Sequence, residues 1–373
     1  MYIKSFHSTP LNRKRLIICL ILLLLSKFCI ASSVDIKNLD KKYSMFKVRL
    51  IMRLDTGSKD LIDIGLFDID KFTVDESGII YLLNSKNNEN MIFLVDKTGI
   101  IKRSFGKKGQ GPGELENPTE LFLSPSGNLI VLDMGRGKLS VFSKEGSFIE
   151  EKRISPDTAI IDSLSNGCFL GLESFYGGEI NQWGYSLNYY DEKLNKIKEL
   201  DRVRFPNPIV SKTVEAGVNI INCKVSADRI YSGCPKRGYE FMIFDLTGKL
   251  INKICVTTSK RGSLDEFRKI MERDFGDLVT FGIKVIYPRN PLPYYSFFAD
   301  DNGYLFVMTF QPGNKAGDYL YEIINPLGKI VNKVSLGPFF FNGSILAKIS
   351  KNMLYMVRQK ETGDKEFIVY EIQ

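Results

Sequence analysis

Histidine is almost absent from this sequence. The only one, His7, lies in an N-terminal segment with the features of a signal peptide, so the chain that follows contains no imidazole. Without imidazole, Ser-His-Asp and Cys-His catalysis, histidine-ligated zinc and histidine proton shuttles are excluded. The sequence therefore lacks the residue on which many hydrolases depend.

Cysteine is scarce as well, and its spacing indicates no metal site. Four cysteines follow the signal segment: Cys168, Cys223, Cys234 and Cys255. No Cys-x-x-Cys pair occurs among them, so neither a thiolate zinc site nor a thioredoxin-like motif is indicated. In an oxidising compartment Cys223 and Cys234 would be the candidate disulfide, because they flank a predicted hairpin. Buried free thiols are the alternative.

Long hydrophobic runs are also missing. The longest, Leu16–Leu25, has 10 residues, which is well below the roughly 20 that a membrane-spanning helix needs. It follows the basic residues Arg13–Arg15 and precedes the small residues Ala31–Ser33, an order typical of a secretory signal peptide. We predict a signal peptide over residues 1–33 and no transmembrane domain after its cleavage. An exported protein is expected, whether periplasmic, at the cell surface or extracellular, and an uncleaved N-terminal anchor is the alternative.

The charge excess is concentrated in the same N-terminal segment. The whole chain carries 51 basic and 43 acidic residues, but five of the basic ones precede Ala31, so the remainder has a net charge of only +3. A nearly balanced charge that is spread along the chain offers no footprint for nucleic acid. Nucleic acid is therefore not an expected partner.

A repeated pattern of short strands organises the rest of the chain. Its clearest copy, Phe105–Gly146, contains a glycine-rich lead-in and three short apolar runs, each closed by a turn signal. Turns of the Asp-x-x-Gly type, degraded once to a turn that ends at Leu194, recur about every 47 to 54 residues from Gly99 onward, apart from one interval of 80 residues. Four strands per repeat at this period predict an all-β fold, a six-bladed β-propeller over residues 34–373. Two packed solenoid-like sheets are the alternative.

Two further predictions follow from the places where the repeat is irregular. The long interval contains an insertion over residues 262–292, between the fourth and fifth blades, with a helix at about 262–276 that begins with a capping-box spacing. The last repeat is one strand short, whereas the run Met45–Asp55 is a spare strand. The N-terminal strand is therefore predicted to complete the last blade, which would close the ring and remove an exposed sheet edge.

The glycine-rich stretch also carries a family resemblance. It resembles the NHL-repeat family of six-bladed propellers, and the form Gly-Gln-Gly-Pro-Gly-Glu-Leu is similar to exported bacterial six-bladed propeller proteins. The matching residues are Phe105, Gly106, Gly109, Gly111, Gly113, Leu115, Pro118, Gly127, Asn128, Leu129, Val131, Asp133, Phe142 and Gly146. The resemblance implies the fold and no particular chemistry.

The four glycines Gly106, Gly109, Gly111 and Gly113 are predicted to be structural. A phosphate-binding loop would need GxxxxGK[ST], but Glu114 follows the last glycine, and strands are predicted on both sides. A crossing between two blades is the favoured interpretation.

Six aspartates begin or border predicted turns, where a carboxylate caps backbone amides: Asp75, Asp96, Asp133, Asp245, Asp300 and Asp301. No cofactor is expected; calcium or another divalent metal has no supporting motif.

Aromatic residues near predicted loops provide the candidate binding residues. Tyr176 and Trp183 fall in a predicted loop over residues 173–184, and Arg289 and Tyr294 follow the inserted helix. Exposed tyrosine and tryptophan give a large contact area at low entropic cost, which suits recognition of a protein, peptide or glycan. We therefore expect a binding or scaffold protein that uses loops on one face, with no catalytic residues. The alternative is a channel-site, metal-dependent hydrolase or lyase, as in gluconolactonase-like propellers.

Overall fold

Short apolar strands joined by tight turns form six separate four-stranded antiparallel sheets, the blades of a β-propeller. The computed structural model describes residues 36–177, 182–217, 221–257, 262–341 and 343–373. The chain divides into two units after Phe46. In the first unit, residues 36–44 are helical (α1), and the second unit, Lys47–Gln373, contains the propeller. The predicted signal peptide lies outside the described residues.

Five blades take four consecutive strands each. Blade I contains β2 (Lys71–Val74), β3 (Ile80–Leu83), β4 (Ile92–Val95) and β5 (Ile101–Phe105). Blade II contains β6 (Pro118–Leu123), β7 (Leu129–Asp133), β8 (Lys138–Phe142) and β9 (Phe148–Arg153). Blade III contains β10 (Thr158–Ser163), β11 (Phe169–Gly177), β12 (Gln182–Tyr190) and β13 (Lys196–Pro206). Blade IV contains β15 (Asn222–Ser226), β16 (Arg229–Gly233), β17 (Glu240–Asp245) and β18 (Leu250–Cys255). Blade V contains β20 (Ser296–Ala299), β21 (Leu305–Pro312), β22 (Tyr319–Ile324) and β23 (Ile330–Leu336).

Blade VI is built from both ends of the propeller sequence. It contains β26 (Ala347–Ser350), β27 (Met353–Gln359) and β28 (Lys365–Ile372), and its outer strand is β1 (Val48–Asp55), which pairs antiparallel with β28. The prediction that an N-terminal strand completes the last blade is confirmed. The buried side chains of β1 join a hydrophobic cluster that links blade VI to blade I.

The first strand of each blade lies at the centre of the ring. First strands of neighbouring blades contact one another, for example β2 with β6 and β15 with β20, whereas the last strands, such as β9 and β18, are mostly exposed. Because strands alternate in direction, the turns after the first and third strands emerge on one face, and all other connections emerge on the opposite face. We call these the turn face and the insertion face.

The insertion face carries all the remaining elements of the propeller unit in the described chain. These are α2 (Lys59–Asp63), α3 (Pro208–Ser211), the parallel pair β14 (Thr213–Glu215) and β19 (Lys284–Ile286), α4 (Leu264–Thr280), the hairpin β24 (Phe340–Phe341) and β25 (Ser344–Ile345), and a 3₁₀ turn at Pro235–Arg237.

The inserted helix α4 is confirmed, and it is longer than predicted. Ser263 Oγ accepts a hydrogen bond from the Glu266 amide at 3.3 Å, as in the predicted cap, but the Glu266 carboxylate accepts from the Tyr319 hydroxyl at 2.9 Å. Phe267 and Ile270 are buried at helical spacing. The helix continues to Thr280 rather than ending near residue 276, because glycine at that position does not break it.

The glycine-rich segment crosses from β5 to β6, with a strand on either side as predicted. Gly106 and Gly113 have φ angles of +77° and +75°, a left-handed conformation that favours glycine. A Cβ on Gly113 would lie 2.9 Å from Phe148. The Glu114 carboxylate accepts a hydrogen bond from the Gly111 amide at 2.8 Å, so the acid that argues against phosphate binding instead holds the crossing.

An ion-pair cluster, buried at Asp68 and Lys365 but exposed at Lys86, ties blade VI to the connection that enters blade I. Asp68 lies 2.8 Å from the Lys365 ammonium and 2.5 Å from that of Lys86, and Lys365 also donates to the Ile69 carbonyl at 2.9 Å. Burial opposes ionisation of Asp68, but its hydrogen bonds to the two lysines outweigh that effect and hold its pKa below the usual value. The cluster is therefore stabilising while Asp68 is ionised.

Candidate functional site

The second and third strands of blade III are longer than those of blades I, II, IV and V. They form an antiparallel hairpin in which Tyr176 lies directly across from Trp183 and Gly177 across from Gln182. The last strand, β13, continues the sheet, with Phe205 opposite Trp183. We call this three-stranded projection on the insertion face the blade III extension. The prediction that residues 173–184 form a loop is wrong at its two ends, because strand alternation continues to Gly177 and resumes at Gln182.

One side of the blade III extension is a row of aromatic rings. The Tyr176 ring stacks on Trp183 with centroids 5.2 Å apart and an interplanar angle of 24°, and Phe205 lies 6.1 Å away on the other side of Trp183. Tyr185 lies two residues along the same strand, 6.4 Å from Trp183. Tyr176 is 62% exposed, so the row ends at solvent. This surface offers flat ring faces to a ligand.

The indole of Trp183 has an unused donor. Its Nε1 atom is buried and has no hydrogen-bond partner in the described chain. A buried, unpaired donor costs free energy that a partner would recover. Burial, with a smaller contribution from Tyr176, raises the pKa of the neighbouring Tyr185, so that hydroxyl stays protonated at neutral pH. The aromatic row thus combines ring faces with donors.

The opposite side of the blade III extension is basic. The guanidinium of Arg202 lies 4.3 Å from the centroid of the Phe175 ring, and that of Arg204 lies 5.7 Å from it. Arg202 also donates from Nε to the Glu199 carboxylate at 2.7 Å. These contacts make the two faces chemically distinct, one aromatic and one cationic.

The other two predicted binding residues do not join this surface. Tyr294 was expected to be an exposed loop residue, but it is fully buried and stacks on Tyr239 at 5.4 Å and against Phe241 at 5.1 Å. It fills the core between blades IV and V, and burial raises its pKa well above the usual value. Arg289 is exposed between β19 and β20, and within the described chain no hydrogen bond, ion pair or ring contact joins it to the other three.

The predicted disulfide is absent. Cys223 and Cys234 are both free thiols, and Cys223 lies across from Ser232 rather than from Cys234. Cys234 is therefore two residues out of register, a diagonal position at which cross-strand Cα atoms are too far apart for a bridge.

Four of the six aspartates, Asp75, Asp96, Asp245 and Asp300, cap the backbone of their own turns. The other two bind different segments: Asp133 accepts from the amides of Glu116 and Asn117, and Asp301 accepts from the Lys351 amide. Asp75, for example, accepts at Oδ1 from the amides of Ser77 and Ile79, each at 2.8 Å, and Asp96 and Asp245 make the same contacts in their turns. Among the residues that the structure describes, no group of three or more His, Cys, Asp or Glu side chains could hold a metal ion. The carboxylates that the sequence offers are spread over separate turns.

The centre of the ring encloses a second candidate site, which we call the central channel. It has a volume of about 1340 Å³ and is lined by the first strands of the blades. Residues of the turn face line one end, and Gly343–Leu346 of the hairpin β24–β25 line the other. Five charged side chains project from first strands into its wall: Lys71, Glu120, Asp162, Lys224 and Lys348.

Only two of these five wall charges pair with each other. Lys71 Nζ lies 2.5 Å from the Glu120 carboxylate. Asp162 accepts one hydrogen bond, from the Ser163 amide at 2.9 Å, and neither Lys224 nor Lys348 has a hydrogen-bond or ion-pair partner among the described residues. None of the five is among the candidate residues that the sequence indicated, although each interrupts the apolar pattern of a blade's first strand, and that recurrence was the available signal.

Burial in the channel wall shifts the pKa values of the titratable groups there. Burial raises the pKa of Asp162 to about 6, against the opposing effect of Lys348 and Lys224. Burial also lowers the pKa of Lys224, and the nearby Lys71 ammonium adds to that effect. The pKa of the adjacent Cys223 thiol is raised by burial, so it is a poor nucleophile at neutral pH.

The comparisons with known proteins concern the fold. Residues 30–325 match the family described as "6-bladed beta-propeller", DUF5128. No curated protein matches the sequence significantly. Within the described chain, no helix is both long and apolar enough to span a membrane.

Several solved structures are similar to this chain at low sequence identity. A protein from Bacteroides fragilis, whose name describes it as exported, has a TM-score of 0.50 at 11% identity and covers 88% of this chain and 95% of its own. A DUF4221 family member from Bacteroides vulgatus has a TM-score of 0.49 at 13% identity, covering 88% and 98%. Virginiamycin B lyase from Staphylococcus aureus has a TM-score of 0.43 at 13% identity, covering 87% and 99%. Because the family match spans most of the chain and six blades are present, this chain belongs to the DUF5128 family of six-bladed β-propellers.

Proposed function

We propose that this protein is an exported binding protein that recognises a protein, peptide or glycan through the blade III extension. The observation that carries the proposal is the aromatic row, in which the 62% exposed ring of Tyr176 stacks on Trp183 at 5.2 Å. Aromatic faces that are already ordered by stacking lose little conformational entropy on binding. Both residues were candidates from the sequence.

The position of this surface supports recognition rather than packing. The blade III extension rises from the insertion face, beyond the strand lengths that blade packing needs, and no other element of the described chain makes a ring contact with Tyr176 except Trp183. An aromatic row that serves only the core would be covered, as Tyr294 is. Exposed aromatics on a rigid scaffold are typical of binding sites.

Export is supported by the N-terminal sequence and by the name of the Bacteroides fragilis neighbour. For the alternative of a metal-dependent hydrolase or lyase, the described residues offer no group of three His, Cys, Asp or Glu side chains placed as metal ligands. N-terminal sequencing of the protein recovered from the culture medium or a periplasmic extract tests export, because cleavage near Ala31–Ser33 is expected. A cytoplasmic protein that begins at Met1 would contradict this part of the proposal.

Binding is tested on glycan and peptide arrays with the protein lacking residues 1–33, followed by affinity measurement for the strongest ligand. Trp183→Ala and Tyr176→Ala are each expected to weaken binding at least tenfold, since aromatic anchors typically contribute 2 kcal/mol or more. Phe281→Ala is the matched control, because Phe281 is an aromatic residue that is 74% exposed just after α4. Equal affinities for all three variants would refute a role for the blade III extension.

A further inference from the structure

We propose that the central channel is a second binding site, which takes a small hydroxylated organic carboxylate. The carboxylate of the ligand is held between the ammonium groups of Lys224 and Lys348, and a ligand hydroxyl donates a hydrogen bond to Asp162. Its basis is separate from that of the blade III extension, and either proposal stands if the other fails. The three residues come from the first strands of blades IV, VI and III and line one cavity.

The unpaired wall charges are the first reason. Lys71 and Glu120 satisfy each other at 2.5 Å, which leaves two ammonium groups and one carboxylate without an ionic partner in the described chain. Placing an unpaired charge in a confined wall carries a desolvation penalty, and charged groups with perturbed titration in a cleft are typical of functional sites. A ligand anion between the two lysines would offset that penalty.

The charge balance of the wall selects the ligand's charge. Three lysines and two carboxylates give the wall a net charge of +1 when all are ionised, which one ligand carboxylate would neutralise. The charged side chains at the rim add no net charge, because three are basic and three are acidic: Lys102, Arg103, Lys144, Asp75, Glu76 and Glu145. A zwitterionic amino acid would leave the wall's charge uncompensated, and a divalent cation would face three ammonium groups.

The remainder of the wall selects the ligand's body. Between the charged positions the channel is lined by apolar side chains such as Phe72, Ile221, Phe298 and Leu346, together with the polar Ser163 and Asn222. A volume of about 1340 Å³ exceeds the roughly 300–1,000 Å³ of typical ligand pockets. An organic acid with hydroxyl groups fits such a mixed wall, whereas inorganic phosphate would leave most of the cavity unfilled. The turn face offers the entrance, since turn residues line that end.

The test uses glucuronate and gluconate as probes, at constant ionic strength, with thermal melting and isothermal titration calorimetry as readouts. At least one probe is expected to bind with a Kd in the millimolar range or tighter and to raise the melting temperature. The methyl ester of glucuronate, which keeps the body and loses the charge, and inorganic phosphate are expected to bind at least tenfold more weakly. Binding of neither probe, or equal binding of the ester, would overturn the proposal.

Lysine variants locate the binding. Lys224→Met and Lys348→Met are each expected to weaken probe binding at least tenfold, and the second keeps the test decisive if the first fails to fold. Lys269→Met is the matched control, since its side chain is 74% exposed on α4 and lies outside the channel lining. Trp183→Ala is expected to leave probe binding unchanged. Probe affinity that is unaffected by both channel variants would show an adventitious site and overturn the proposal.

Discussion

Closure of the propeller by β1 can be tested with two leucines on the same strand. Leu54 is 9% exposed, lies opposite Phe367 of β28 and belongs to the cluster that joins blades VI and I. Leu50 is 48% exposed and also pairs with β28, so Leu50→Ala is a matched control for Leu54→Ala. The two substitutions remove the same atoms from different environments.

The expected magnitude follows from burial. Replacing a buried leucine by alanine costs about 2–5 kcal/mol, and the low end applies here because β1 is an outer strand beside solvent. We therefore expect Leu54→Ala to lower the free energy of unfolding by about 2–3 kcal/mol and Leu50→Ala by about 1 kcal/mol or less. For a unit of about 330 residues the unfolding entropy is about 0.7 kcal/mol/K, so the melting temperature should fall by about 3–4 °C for Leu54→Ala.

Urea denaturation and differential scanning calorimetry on purified protein provide the measurement. Deletion of residues 34–56 is the stronger form of the same perturbation, because it exposes the edge of β28, and it should lower the melting temperature far more and promote aggregation. If Leu54→Ala melts at the same temperature as Leu50→Ala, or if the deletion leaves the melting temperature unchanged, β1 does not close the ring in solution.

Three shorter predictions concern the turns, the ion pairs and the thiols. Gly113 has a positive φ, so Gly113→Ala should lower the free energy of unfolding, measured by urea denaturation, by about 1–3 kcal/mol. Gly111 has no positive φ, so Gly111→Ala should lower it less. The reverse order would refute the crossing geometry. Asp68→Asn should lower the free energy of unfolding by about 3 kcal/mol at pH 7 and by less at pH 3. The pKa of Asp68 is depressed in the folded chain, so its carboxylate stabilises the fold above the unfolded pKa of 3.8, and this stabilisation is lost as the pH falls through the folded pKa. Equal losses of stability at both pH values would contradict the ionic origin. Cys223 and Cys234 are free thiols, so both should react with an alkylating agent when the protein is unfolded without reductant, as measured by mass spectrometry. A pair of peptides linked by a disulfide between them would disprove the strand register.

Local patterns in the sequence were sufficient for the blade count and for ring closure. Alternating strands, turn glycines and the spare N-terminal strand are short-range signals, and each is set by the φ preference or burial of a few adjacent residues. Leu194, with φ +65°, even takes the left-handed turn position that glycine occupies in other blades, so the turn survives where its sequence signal is degraded. The helix α4 was likewise visible from its cap and its apolar spacing.

The candidate sites depended on contacts that no local pattern contains. The sequence selected Tyr176, Trp183 and Tyr294 alike as aromatics near turns, yet packing between blades IV and V buries Tyr294, while the extension of β11 and β12 leaves Tyr176 at solvent. The channel charges Lys224 and Lys348 lie more than a hundred residues apart in the chain and share a cavity only because the ring closes. The sequence by itself determined the repeat, since strand and turn energies are local; tertiary structure decided which side chains meet, because burial and charge pairing depend on distant strands.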